Sequence, residues 1–420
     1  MTFQLNKNVN LHILPTEKYK TVRVLINFST PVTTQKSSQR SLLASVLETN
    51  SLNYPNQTEL SKKLADLYGA SFGIYVGRNG NHHNLTVSLN IINDTLVPSG
   101  TSVLEPSVAF LKDIIFHPNM TDGLFEQETF TREKDNLVAY IESIFDDKQA
   151  LASLSLQQLY FDDNHQRTPS FGDIETIKKE TAQSLAEYYT HMIQNDQVDI
   201  LVIGNVAEGY VQRVFKDFGF SDREVAPTDI FYYQDTNNII KQKTEVQPVV
   251  QSKLNIAYHT DIYYYDDLHF PLLVFNGLFG GFPHSKLFLN VREKHSLAYY
   301  ASSSIDPFRG LLTVQTGIDG QNREKVLRLV NEQLKQLSRG DVTEEELEQT
   351  KIMLKNQYLL SQDSQRYLLD NAFLRVKVPR SDIPQDEVLA NIDAVSLEDV
   401  QLVAKKLQLQ AVYFLEGEKH

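Results

Sequence analysis

Arg292 and Tyr299 are the residues whose types and spacing could do chemistry. They fall in the stretch S-K-L-F-L-N-V-R-E-K-H-S-L-A-Y-Y-A-S-S, Ser285 to Ser303. Leu287, Leu289 and Val291 recur on a helical schedule, and the residues from Leu297 onward read as a strand. Arg292 thus sits near a helix end, with Tyr299 seven positions later at the strand start. A planar, fork-shaped cation and a phenol at one helix–strand junction can hold a polar chain such as a peptide backbone. The plainer alternative is an arginine paired with a nearby acid and a tyrosine packed in a strand, since structural ion pairs are common.

Other constellations fail on spacing. None of the eleven histidines has another four residues away. Both H-E-x-x-H and H-x-x-E-H are therefore missing; each needs two imidazoles on one helix face around zinc, with a glutamate as base. His82 and His83 are adjacent on a strand and read as a solvated edge. Gly69-Ala70-Ser71-Phe72-Gly73 matches G-x-S-x-G, but a helix precedes it and a strand follows, the reverse of a nucleophile elbow. Gly277, Gly280 and Gly281 fail the dinucleotide spacing and read as a turn between two helices. Asp261, Asp266 and Asp267 beside Tyr263–Tyr265 read as a solvated loop.

Bulk properties limit the function. The chain has 420 residues, 41% of them hydrophobic, and a net charge of −13. That length suggests two or three domains. The negative charge argues against nucleic-acid binding. With no cysteine, disulfides, thiolate catalysis and cysteine-bound metals are excluded. No signal pattern or apolar run of membrane-spanning length is present, so a cytoplasmic location away from membranes is expected.

The elements that must position Arg292 and Tyr299 come in two similar sets. Residues 10–15 and 21–29 read as a hairpin. Helices follow over 39–49 and 58–68, then strands over 72–76 and 82–91, helices over 108–116, about 123–160 and 182–193, and a strand over 199–204. Residues 221–247 are polar and read as a linker. The order of elements then repeats over 248–420, with a capping box at Thr343–Glu346 opening a long helix toward Phe373. The expectation is an α+β chain of two homologous domains, residues 1–220 and 248–420. Each is a mainly antiparallel sheet with helices packed on one face, related by duplication.

On these motifs the chain resembles the pitrilysin/insulinase-type metallopeptidases, which carry an inverted zinc motif, and their mitochondrial processing-peptidase relatives. V-R-E-K-H-S-L-A-Y-Y is similar to the family segment whose arginine and tyrosine hold substrate, matching Arg292 and Tyr299. S-L-L-A-S-V-L-E-T-N-S-L-N-Y-P is similar to the zinc helix. Counted back from Tyr54-Pro55, the metal and base positions fall on Ser41, Ala44 and Ser45. The third ligand falls on Tyr140, with Glu142 two positions on. The resemblance implies a subunit that grips substrate but has no metal, cofactor or catalytic residue of its own.

It further implies a partner, a zinc-bearing homologue with H-x-x-E-H, and a peptide or protein substrate. A homodimer is the alternative assembly when the chain is alone. The inactive bacterial members encoded beside such a homologue are associated with modification of elongation factor P. The competing reading is a structural scaffold or peptide-binding protein with no part in hydrolysis.

Overall fold

A computed structural model describes residues 1–417; residues 418–420, and with them His420, lie outside the described residues. The strands of the two main sheets are β1 (Thr2–Asn6), β2 (Val9–Pro15), β3 (Thr21–Pro31), β4 (Ser71–Asn79), β5 (His82–Ile92), β6 (Gln197–Gly204), β7 (Lys241–Gln247), β8 (Ser252–His259), β9 (Ala298–Asp306), β10 (Leu311–Ile318) and β11 (Gln408–Gly417). The main helices are α1 (Thr34–Thr49), α2 (Gln57–Asp66), α3 (Leu104–Phe116), α4 (Gln127–Asp146), α5 (Lys148–Tyr160), α6 (Ala182–Asn195), α7 (His269–Asn276), α8 (Arg323–Arg339), α9 (Glu344–Ser361), α10 (Gln365–Lys377), α11 (Gln385–Ala394) and α12 (Leu397–Lys406).

The chain forms two compact units. One comprises residues 1–142, 168–229 and 364–377; the other comprises 143–167, 230–363 and 378 onward. In the first unit the sheet order is β1-β2-β6-β3-β5-β4. The expected hairpin of β2 and β3 is not made. β6 lies between them, parallel to β2 and antiparallel to β3. The physical reason is visible in β6, Q-V-D-I-L-V-I-G, which is buried from Val198 to Gly204. A strand apolar on both faces belongs inside a sheet.

β5 is not an edge either. It lies between β3 and β4, His83 is fully buried, and β4 is the edge strand on that side of the sheet. On β3, Val22, Val24, Ile26 and Phe28 alternate with Arg23, Asn27 and Ser29, and the four apolar residues are all buried. Burying each such side chain contributes about 1.5–3 kcal/mol.

In the second unit the order is β9-β10-β8-β11-β7. This repeats β4-β5-β3-β6-β2 strand for strand. β7 runs parallel to β11 as β2 does to β6, and the remaining pairs are antiparallel. The duplication is therefore carried by topology. The expected linker, 221–247, ends in β7, the first strand of this second sheet. Its polar sequence, K-Q-K-T-E-V-Q, fits a strand with one neighbour, where lysines are common.

The long helical stretches are each broken once. Asp147 accepts from the backbone N–H groups of Gln149 and Ala150 and starts α5 anew. The second break falls between α9 and α10. After each break the next helix covers the reverse face of the other half's sheet. Leu369 and Phe373 of α10 pack on Leu25, Leu201 and Ile203 of the first sheet. Ala152, Leu156 and Tyr160 of α5 pack with Ala257, Ala411, Tyr413 and Leu415 of the second. The halves thus exchange one helix each, which the contiguous boundaries 1–220 and 248–420 did not include.

Candidate substrate-holding site

The site begins with a helix that loosens into a wider spiral. Phe288–Lys294 forms a π-helix, closed by a hydrogen bond from Leu297 N–H to Val291 C=O at 3.1 Å. Leu287, Val291 and Leu297 are buried and set which side faces inward. Arg292 follows Val291 and points outward, its side chain 42% exposed. Ser296 takes a left-handed conformation, φ 51°, and turns the chain into β9.

Tyr299 occupies a bulge in β9. Ala298 pairs with Ile318 and Tyr300 with Gly317, so Tyr299 is the extra residue. An extra residue is left unpaired and its side chain re-aimed. Tyr299 is 72% exposed. Tyr300 turns the other way, donates to Gln149 Oε1, and lies against Gly317, where a Cβ would meet its ring at 2.4 Å. Burial pushes the Tyr300 phenol up, so it stays protonated.

Arg292 and Tyr299 are therefore exposed side chains flanking the start of an edge strand. They make no hydrogen bond to each other. The Arg292 guanidinium stacks on Phe288, 4.4 Å from the ring centroid, and lies 3.5 Å from Glu293. Phe288 was missed in the sequence, although its i, i+4 spacing to Arg292 was a readable signal.

The four positions that the family resemblance sets at the zinc site present no donor set. Ser41 and Ala44 are buried on α1, and Ser41 donates to the Ser170 carbonyl at 3.5 Å. Ser45 donates back to the Ser41 carbonyl at 3.2 Å. Tyr140 on α4 is 59% exposed, and Glu142 pairs loosely with Lys178 at 3.9 Å. Serine hydroxyls committed to backbone carbonyls and an alanine methyl do not fit a zinc ion or a general base. Among the described residues no group of three or more His, Asp or Glu could hold a metal.

Glu48, one further turn along the same face of α1, was also missed. It accepts from the Ile74 N–H at 3.3 Å and so ties α1 to the edge strand β4. Burial raises its pKa; the Ile74 hydrogen bond opposes this and nearby Glu133 adds to it.

The remaining sequence motifs resolve into structure. His82 and His83 accompany no solvated edge: their ring Nε2 atoms bond the carbonyls of Thr228 and Ser170. Gly69, φ 74°, ends the α2 region before β4 begins at Ser71. Gly277–Gly281 is not a turn but a π-helical continuation of α7. A Cβ on Gly280 would lie 2.6 Å from the Ser303 backbone nitrogen, so glycine permits the helix to touch β9. The acidic loop is also ordered. Asp266 pairs with Arg380 at 2.8 Å and caps the Tyr263 N–H, while Tyr263 is buried beside Phe231 and Tyr233.

A family model described as the peptidase M16 inactive domain matches residues 179–354. The probable inactive metalloprotease YmfF of Bacillus subtilis (strain 168) is 35% identical over 406 residues, covering 97% of this chain and 95% of that protein. The chain belongs to the M16 peptidase family. Within that family it is a non-peptidase homologue. The M16 fold is shared with a solved structure of a conserved protein from Enterococcus faecalis V583. That structure is 54% identical with a TM-score of 0.97, covering 100% of this chain and 99% of that one. A second relative, the uncharacterized zinc protease YmxG of Bacillus subtilis (strain 168), is 25% identical over 305 residues, 71% of each chain. No described helix is long and apolar enough to cross a membrane.

Proposed function

We propose that this chain is the substrate-binding, regulatory subunit of a heteromeric metallopeptidase whose partner carries H-x-x-E-H and the zinc. The observation that carries the reading is the exposure of Arg292 and Tyr299 together beside the start of edge strand β9. An extended peptide would add to that edge, its carbonyls accepting from the guanidinium and the phenol. The hydrolytic water and the metal would belong to the partner. The existence of zinc-protease relatives such as YmxG supports a partner of that kind. A tie to elongation factor P modification is an expectation of the family resemblance, and a cytoplasmic location accompanies it.

The test uses the full chain with a zinc-bearing homologue from the same cell. This chain alone is expected to cleave nothing, the zinc-bearing subunit alone to cleave peptides slowly, and the mixed complex to cleave them faster. Arg292→Ala is expected to lower the complex's kcat/KM by about 10-fold or more, the scale of a lost charge-assisted contact at ~1.5–3 kcal/mol, and Tyr299→Phe by about 2- to 10-fold, the scale of a neutral hydrogen bond at ~0.5–1.5 kcal/mol. Full activity in the Arg292→Ala complex would remove the role assigned to the pair. A chain that recruits no zinc-bearing subunit but still binds peptides would leave the scaffold or peptide-binding reading.

A further inference from the structure

The two sheets differ in one respect. In the first unit the outer side of β2 is covered by β1, running antiparallel. In the second unit the corresponding strand, β7, has β11 on one side and, among the described residues, no strand on the other. A row of backbone donors and acceptors with one open side is a template for another strand.

We propose that the open side of β7 pairs with β7 of a second copy of this chain, antiparallel, about a two-fold axis through Thr244. The chemistry of K-Q-K-T-E-V-Q is self-complementary in that register. Lys243 of each copy faces Glu245 of the other, Gln242 faces Val246, Lys241 faces Gln247, and Thr244 faces itself. Opposite charges directly across a sheet attract, and like charges repel. A slip of two residues sets Lys243 against Lys243 in one direction and Glu245 against Glu245 in the other. The charges therefore favour one register.

Lysines on an edge usually discourage a second strand. Here each lysine has its complement two residues away. Within one copy Lys243 lies 3.2 Å from Glu245, with both side chains partly exposed, so the pair can be shared across the axis. Val246, 60% exposed on the other face, gains cover from the facing Gln242. The contact is isologous and closes on itself, giving a dimer and no filament. Two seven-residue strands bury less than the ~1,200 Å² of a standard interface, so the dimer is expected in the micromolar range.

The absence of cysteine makes the test clean. Thr244→Cys in the full chain places two thiols on facing residues of an antiparallel pair, with Cα atoms ~4.5–5.5 Å apart, within disulfide reach. Mild oxidation at micromolar protein is expected to give a covalent dimer within minutes. Gln242→Cys and Val246→Cys each stand ~14 Å from their own copy and should form no covalent dimer, while a mixture of the two should cross-link. In sedimentation, Lys243→Glu is expected to weaken the dimer at least 10-fold, and Lys243→Glu with Glu245→Lys to restore it. Circular dichroism checks that each variant is folded. Equal cross-linking of all three cysteine variants, no cross-linking of Thr244→Cys, or failure of the double exchange to restore the dimer would overturn the proposal. Cross-linking to a different polypeptide alone would do so too.

Discussion

At the scale of single residues, the side chains with the strongest environment lie away from Arg292 and Tyr299. His83 is held down to about 3, first by burial, then by the charges of Arg40 and Arg78, against the bond to the Ser170 carbonyl. His269 is held down to about 4 by burial and Arg380. Both are neutral in the fold, while an unfolded histidine titrates near ~6.5. Below that value the unfolded chain takes up protons the folded chain refuses. Stability is therefore full above ~6.5 and falls as pH drops toward the folded values. Between pH 7 and 5 each histidine is expected to remove roughly 2 kcal/mol. Urea unfolding at both pH values checks this: His83→Gln should lose roughly 2 kcal/mol less than the parent over that interval. An unchanged slope would mean that His83 is charged in the folded chain. These two groups were not legible in the sequence. A histidine within an apolar strand shows burial only once its neighbours are known. Arg292 and Tyr299 were legible because local spacing alone sets the junction. The π-turn between them was not, since Val291 and Leu297 fit an ordinary helix end equally well.

At the scale of elements, α10 shows what a polar anchor adds to an apolar one. Leu369 and Phe373 supply the packing, and Lys377 Nζ lies 3.1 Å from Asp199 Oδ2 at the far end. Burial would raise the Asp199 carboxyl. Hydrogen bonds from His12 and Asn10 and the Lys377 charge reverse that and hold it at about 2. Breaking a buried pair from one side is costly, about 3–5 kcal/mol, because the other charge stays behind. Lys377→Met is accordingly expected to destabilise by roughly 3 kcal/mol and to speed hydrogen exchange across residues 364–377. Adding Asp199→Asn should recover part of that loss, which a double-mutant cycle would read directly. Most helices and strands were legible from periodicity and caps. The placement of α5 and α10 was not. An apolar stripe shows that a helix face is buried, without naming the sheet that buries it. The same limit hid β6 between β2 and β3, and β7 in a polar segment.

At the scale of the whole molecule, the reciprocal use of α5 and α10 makes each compact unit depend on sequence from the other half. Fragments 1–229 and 230–420, expressed separately, each leave one sheet's reverse face bare: Leu25, Leu201 and Ile203 in one, Ala257, Ala411 and Tyr413 in the other. Each fragment alone is expected to be insoluble or molten, and the two together to copurify as a folded complex. Two independently folded, soluble fragments with cooperative unfolding would contradict the exchange. The duplication itself was legible from the repeated order of elements, because topology follows that order. The exchange required coordinates.

That exchange also sets a timetable for birth. A ribosome finishes β6 roughly 160 residues before it finishes the start of α10. At ~5–20 residues per second, the first sheet waits about 8–30 s with its oily underside open to the cell. Nascent chains of this protein should be chaperone clients for about two-fifths of their synthesis, and released only when the tail end of the message has been read.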